Sequence, residues 1–383
     1  MYDHSFVPYA DTTALSEDAE KVLIRKLLQQ TYFNDVRVQR LLAYYPNLPL
    51  KDKDRAISLF MRRLWSDTKF FEAFRAFDFL LAVAGKRGHF VHQFEVFLFG
   101  INIILMAQEK GCDLTKVFKF DEIDQVFDTW LFASSVHDFG YPIEAVNKIV
   151  KEIGKLYNTF GFKNIQDRFQ SVKAENLVKS CNANVGDKVI LAIEESLGIT
   201  SVEAISLVDK LVAVDDHGYA SSMFICRMIK NKIRKEKSLP HYEKSLKYAM
   251  GAVSLHSLKL SNEPQKDFRE YIGKISFEKN PYAFLLFLVD NLQDNNRFVY
   301  PKDSWPNYSL HKLSINKHEI TISYNVKHPD WKKKAKTAFT SYVTEKREML
   351  DLISPGSTPL GITVRLQYIV DSGKSPVDIV VTI

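Results

Sequence analysis

Three cysteines in 383 residues, Cys112, Cys181 and Cys226, lie far apart and form no CxxC pair. Such spacing excludes a disulfide framework and a cysteine-rich zinc site, so the thiols read as reduced and inert. Long apolar runs are missing too. The longest, "VFLFGINIILMA" from Val96 and "YAFLLFLV" from Tyr282, fall short of the roughly 20 residues that cross a bilayer. They read as buried helices, and no membrane association is expected. The N-terminal "MYDHSFVPYADTTALSEDAEK" lacks the basic and then apolar segments of a secretory signal, which makes a cytoplasmic location the expectation. No GxxxxGK[ST] loop, GxGxxG turn, GxSxG elbow or HExxH helix occurs, which removes the common nucleotide-binding and hydrolase signatures. There is no internal repeat and no low-complexity tract.

What is present describes an ordinary globular chain, with 46% hydrophobic and 26% charged residues and length enough for two or three domains. A net charge of +6 and a pI near 8.9 allow a polyanionic substrate without requiring one. The basic runs "RMIKNKIRKEK" and "DWKKKAK" read first as solvated helix faces.

Apolar residues recur at three and four through "AEKVLIRKLLQQ" and "DRAISLFMRRLWSDTKFFEAF", the period of amphipathic helices. Helical stripes continue to about Asn296, with connectors at Gly111, Gly140-Tyr141-Pro142, Gly198 and Pro240. After "VYPKDSWPNYS" the pattern changes. "HEITISYNV" alternates with period two, and "GITVRLQYIV" and "PVDIVVTI" are rich in β-branched residues, as strands are. A helix between the first two, opened by Pro329-Asp330 and closed by Pro355-Gly356, completes a β-α-β-β module. The expected organisation is an N-terminal helical region (1–75), a helical domain (76–305) and a small α/β module (306–383). The fold class is therefore mainly α, a helical bundle with a small C-terminal α/β module.

The candidate chemistry lies in the bundle. "SVHDFGYP" sets His137 beside Asp138 near the end of a helix that begins about Asp121. "RGHFVHQFEVFLFG" carries His89 and His92, three residues apart, and the His92 face continues through Val96 and Gly100. His217 opens a later helix, His256 closes an apolar one, and Asp290 follows eight consecutive apolar or aromatic residues. An ionised carboxylate there is costly unless a metal ion, a histidine or an arginine meets it. Helices that each bring one His or Asp to an apolar interior are how bundles build metal sites. Imidazoles with carboxylates suit transition metals better than calcium.

The ordered set His92, His137-Asp138, His217, His256 and Asp290 resembles the HD-domain superfamily of metal-dependent phosphohydrolases, whose motif is H…HD…D on a helical bundle. The resemblance runs from Phe77 to about Arg297. It implies an HD-type domain in which His92, His137, Asp138 and Asp290 hold a primary metal, Asp138 bridges to a second ion, and His217 and His256 complete that second position. It leaves open whether His89 or His92 is the first ligand. The implied cofactor is one or two divalent transition-metal ions (Mn, Fe, Ni, Co or Zn, with Mg a further option). The implied reaction is hydrolysis of a phosphate ester by a metal-activated water, with Asp138 catalytic and His89 as a general acid or substrate contact. Lys86, Arg87 and Arg297 are the nearest candidates in sequence for binding phosphate oxygens.

The chain departs from the family twice. Where many members read HDxGK, it has Phe139-Gly140-Tyr141 after the HD pair, without the lysine. Its "GYP" directly follows that pair, unlike the distant GYP of the cyclic-dinucleotide subfamily. The expected substrate is a nucleotide or related phosphate compound. The alternatives are an HD-type nuclease acting on nucleic acid, and a non-catalytic nucleotide-binding or scaffold protein. The C-terminal module, with His318 and His328 as its histidines, suggests packing, substrate gating or assembly of a homo-oligomer.

Overall fold

A computed structural model describes residues 17–29, 36–49, 89–141, 183–236, 240–260, 268–292, 307–316, 318–327, 333–353, 360–370 and 377–382, with isolated positions between 52 and 60 and at 159. The described residues are mainly helical. The helices are α1 (Glu17–Leu27), α2 (Val36–Tyr44), α3 (His89–Glu109), α4 (Leu114–Phe118), α5 (Ile123–Val136), α6 (Ala183–Leu197), α7 (Ser201–Ala213), α8 (His217–Glu236), α9 (Pro240–Leu255), α10 (Arg269–Ile272), α11 (Pro281–Leu292) and α12 (Lys333–Ile353). Their ends follow local sequence. Gly111 (φ 84°) and Gly198 (φ 59°) take the left-handed conformation just after α3 and α6. Thr200 and Glu203 start α7 with a reciprocal capping box, and Pro240 is the first residue of α9.

All twelve residues of α11 are buried. A helix that is apolar all round belongs in the centre, and α11 packs against α3, α5 and α9. Full burial of each Leu, Val or Phe side chain contributes about 1.5–3 kcal/mol. Helix α3 is longer than the apolar run read from the sequence, because Gln93 and Glu95 break the pattern before Val96 yet are themselves buried. Its Val91–Glu109 stretch is long and apolar enough to cross a membrane, but 89% of its most apolar 18 residues are buried inside the protein.

The C-terminal sheet corrects the β-α-β-β expectation. It has four strands, β1 (Asn307–Ile315), β2 (Glu319–Lys327), β3 (Thr363–Val370) and β4 (Val377–Thr382), in the order β1-β2-β3-β4. The unforeseen strand is β1, an edge strand rich in polar residues. A register shift between Leu310 and Lys312 breaks the period-two signal by which strands are recognised. Strands β2 and β3 run parallel, joined by the α12 crossover, and both outer pairs are antiparallel. Ile320, Ile322, Tyr324, Val326, Val364, Leu366 and Tyr368 form the buried face. The sheet is tied to the bundle where Tyr324 Oη donates to Leu292 O at 3.2 Å, at the end of α11. The proposed helix start at Pro329-Asp330 and His328 lie outside the described residues.

The α3–α5 contact depends on one glycine. The Trp130 indole is fully buried, and its Nε1 donates to Phe97 O at 3.0 Å. A Cβ on Gly100 would lie 1.9 Å from Trp130 Cζ2, so α3 approaches α5 only because position 100 has no side chain. Gly100→Ala is therefore expected to cost at least about 1–3 kcal/mol of stability by overpacking. Urea denaturation of the variant tests this, and a midpoint equal to that of the parent chain refutes the packing argument.

Candidate metal centre

Five helices deliver the polar side chains to one place in the apolar bundle. His92 lies in the first turn of α3, and His137 and Asp138 directly follow α5. His217 is the first residue of α8, His256 directly follows α9, and Asp290 lies in the last turn of α11. The HD turn reaches α8 through another close approach, since a Cβ on Gly140 would lie 2.1 Å from His217 O. Gly140 N also donates to Ser221 Oγ at 2.6 Å. The glycine after the HD pair thus lets Asp138 sit between the α3–α5–α11 side and the α8–α9 side.

Asp138 is the hub. Its Oδ2 is 3.4 Å from His137 Nε2 and 3.7 Å from His92 Nε2. Its Oδ1 is 3.5 Å from both His217 Nε2 and His256 Nε2. On the Oδ2 side, His92 Nε2 lies 3.0 Å from Asp290 Oδ1 and 3.4 Å from His137 Nε2. Donors bound about 2.0–2.2 Å from a shared ion at tetrahedral or octahedral angles stand about 2.8–3.6 Å apart. Most of the observed spacings fall within that range, while His92–Asp138 at 3.7 Å and His137–Asp290 at 4.0 Å are longer. Two donor groups, His92-His137-Asp138 and Asp138-His217-His256, can each hold a metal ion, and they share Asp138.

The imidazoles are oriented as metal ligands require. His137 Nδ1 donates to Ser134 O and His256 Nδ1 donates to Val253 O, each at 2.7 Å and each three residues back in its own helix. A proton committed at Nδ1 leaves the Nε2 lone pair of the neutral ring pointing into the site. Buried His256 Nε2 makes no well-formed hydrogen bond. Burial holds the His137 imidazole down to about 4, against the pull of Asp138, so the ring is neutral near pH 7. Burial also lowers His256, but the neighbouring Asp138 and Asp290 carboxylates outweigh it, and its pKa is raised above 6.5.

Three helix C-termini, those of α5, α9 and α11, converge here with two carboxylates. Each C-terminus carries roughly half a unit of negative charge, and the N-termini of α3 and α8, at His92 and His217, each carry a similar positive one, so it is chiefly the two carboxylates that make the field favour a cation. The site is almost closed: His137 is fully buried, whereas the His92 side chain is 19% exposed and marks the more open edge.

The structure thus brings together His92, His137, Asp138, His217, His256 and Asp290. His89 is the first residue of α3, but its side chain lies outside the described residues, as do Lys86, Arg87 and Arg297 entirely. Cys112 and Cys226 are reduced thiols and belong to neither donor group, and Cys181 is outside the described residues. Sequence reasoning missed the packing role of Gly140 and the contact of Tyr141 with His217, whose rings have centroids 4.5 Å apart. The departure from HDxGK was the one available signal for Tyr141. No protein-family model, curated protein or solved structure matches the chain.

A metal ion and a proton compete for His256 Nε2. Because the Asp138 and Asp290 carboxylates raise the His256 pKa while burial keeps His137 neutral, an ion at His256 would compete with a proton more than one at His137. Affinity is expected to fall over the acidic interval in which His256 takes up its second proton. Calorimetry of Mn²⁺ binding in two buffers of different ionisation enthalpy should register proton release, and pH-independent affinity over that interval contradicts the assignment.

Proposed function

We propose that the chain is an HD-type metal-dependent phosphohydrolase that hydrolyses a phosphate ester of a nucleotide or related compound. The observation that carries this reading is the convergence of four imidazoles and two carboxylates, from five helices, around Asp138. A buried carboxylate that faces imidazoles on both of its oxygens is poorly suited to mere packing, since apolar residues of similar volume are commonly as stable or more so.

His92, His137, Asp138 and Asp290 would hold one divalent ion, and Asp138, His217 and His256 a second. Imidazole with carboxylate suits Mn, Fe, Co, Ni or Zn. Such ions supply Lewis-acid chemistry, lowering the pKa of a water and neutralising phosphoryl oxygens. The protein's own part is positional. Asp138 spans both positions with its two oxygens, and the Ser134 and Val253 carbonyls hold His137 and His256 in one tautomer. The apolar helices around the site exclude bulk water. Substrate approaches from the His92 edge, and Tyr141, its ring tilted against that of His217, presents a neutral aromatic group where many relatives of the motif place a lysine.

Elemental analysis after Mn²⁺ or Ni²⁺ loading, paired with a panel of nucleotides, cyclic nucleotides and single- and double-stranded nucleic acid, tests the proposal. The expected result is at least about one transition metal per chain with turnover of nucleotide esters. Asp138→Ala is expected to abolish both. A chain that holds less and regains none on metal addition overturns the proposal, as does full activity in Asp138→Ala.

A further inference from the structure

The second metal position depends on how α8 meets the end of α9, because His217 begins one and His256 follows the other. Asp216 precedes α8 and caps it, its Oδ1 accepting from Tyr219 N at 2.8 Å. The same oxygen accepts from Ser257 Oγ at 2.9 Å, and Ser257 is the residue after His256. One carboxylate oxygen therefore ties together the chain neighbours of both histidines. The bond crosses Gly218. A Cβ there would lie 2.5 Å from Ser257 Oγ, 2.6 Å from Val253 O and 3.2 Å from Asp216 Oδ1. Val253 O is also the acceptor that orients His256. The approach to Asp216 is fixed by a tight link from α7, in which Asp215 takes the left-handed conformation (φ 52°) and Asp216 N donates to Leu211 O at 2.9 Å.

We infer that Asp216 and Ser257, closing over Gly218, are positioning residues that set His217 and His256 at one distance from Asp138 Oδ1, and so tune the second metal position separately from the first. Both Nε2 atoms stand 3.5 Å from that oxygen. No residue of the clamp shares an element with His92, His137 or Asp290, so its loss leaves the first position intact. The inference rests on the metal-site reading above.

The test is Mn²⁺ titration of the full chain, read by calorimetry for stepwise affinity and by electron paramagnetic resonance for the signal of two coupled ions. Ser257→Ala and Asp216→Ala should weaken the second step by about 10- to 100-fold, the usual effect of losing a partner that orients a ligand. They should abolish the coupled signal and leave the first step unchanged. Asp216→Asn keeps an oxygen able to accept both hydrogen bonds and should retain both steps, which separates positioning from charge. Wild-type titration curves in folded Ser257→Ala overturn the clamp while leaving the metal site standing. Equal weakening of both steps, or failure of Asp216→Asn to restore the second, also overturns it. A parent chain that binds no Mn²⁺ overturns the clamp and the metal reading together.

Discussion

The Asp138 carboxylate, buried at the meeting point of helix ends, is the constraint on which the rest of the bundle depends. Burying an ionised carboxylate in an apolar interior costs several kcal/mol, and the N-termini of α3 and α8 only partly offset the negative C-termini of α5, α9 and α11. Imidazoles surround it at 3.4–3.7 Å. Such packing requires each bearing helix to end at one point, which explains two glycines. Gly140 lets the HD turn touch α8, and Gly100 lets α3 close onto Trp130 of α5. The resulting set of imidazole nitrogens and carboxylate oxygens can hold a metal ion.

Much of this was legible in the sequence because its signals are local. The long helical stripes, the break between helices at Pro240 and the adjacency of His137 and Asp138 all lie within one element or its boundary. Asp290 stood out because nothing in its own apolar run offered it a partner. Other features depend on distant residues and left little local trace. Strand β1 is polar and bulged, so its pairing with β2 defines it more than its own pattern does. Gly140 and Gly218 look like ordinary turn or helix residues until the neighbouring helix is in place. Tautomer choice at His137 and His256 depends on carbonyls that any sequence supplies. It became visible only with the rings placed.

The C-terminal sheet bears on the same centre. Tyr324, fully buried on β2, donates to Leu292 O two residues beyond Asp290, and α12 packs against α10 and α11. Packing is therefore the role that the observed contacts support for the module, and the packing reaches the helix that carries Asp290 of the candidate centre. The sheet helps to fix where α11 ends.

Anomalous diffraction at the manganese edge, from crystals of the full chain grown with Mn²⁺, tests the central claim most directly. The account predicts one peak among His92, His137, Asp138 and Asp290, and a second among Asp138, His217 and His256, with the Asp138 carboxylate between them. Crystals that show strong anomalous peaks only elsewhere, or none at these side chains, would contradict it.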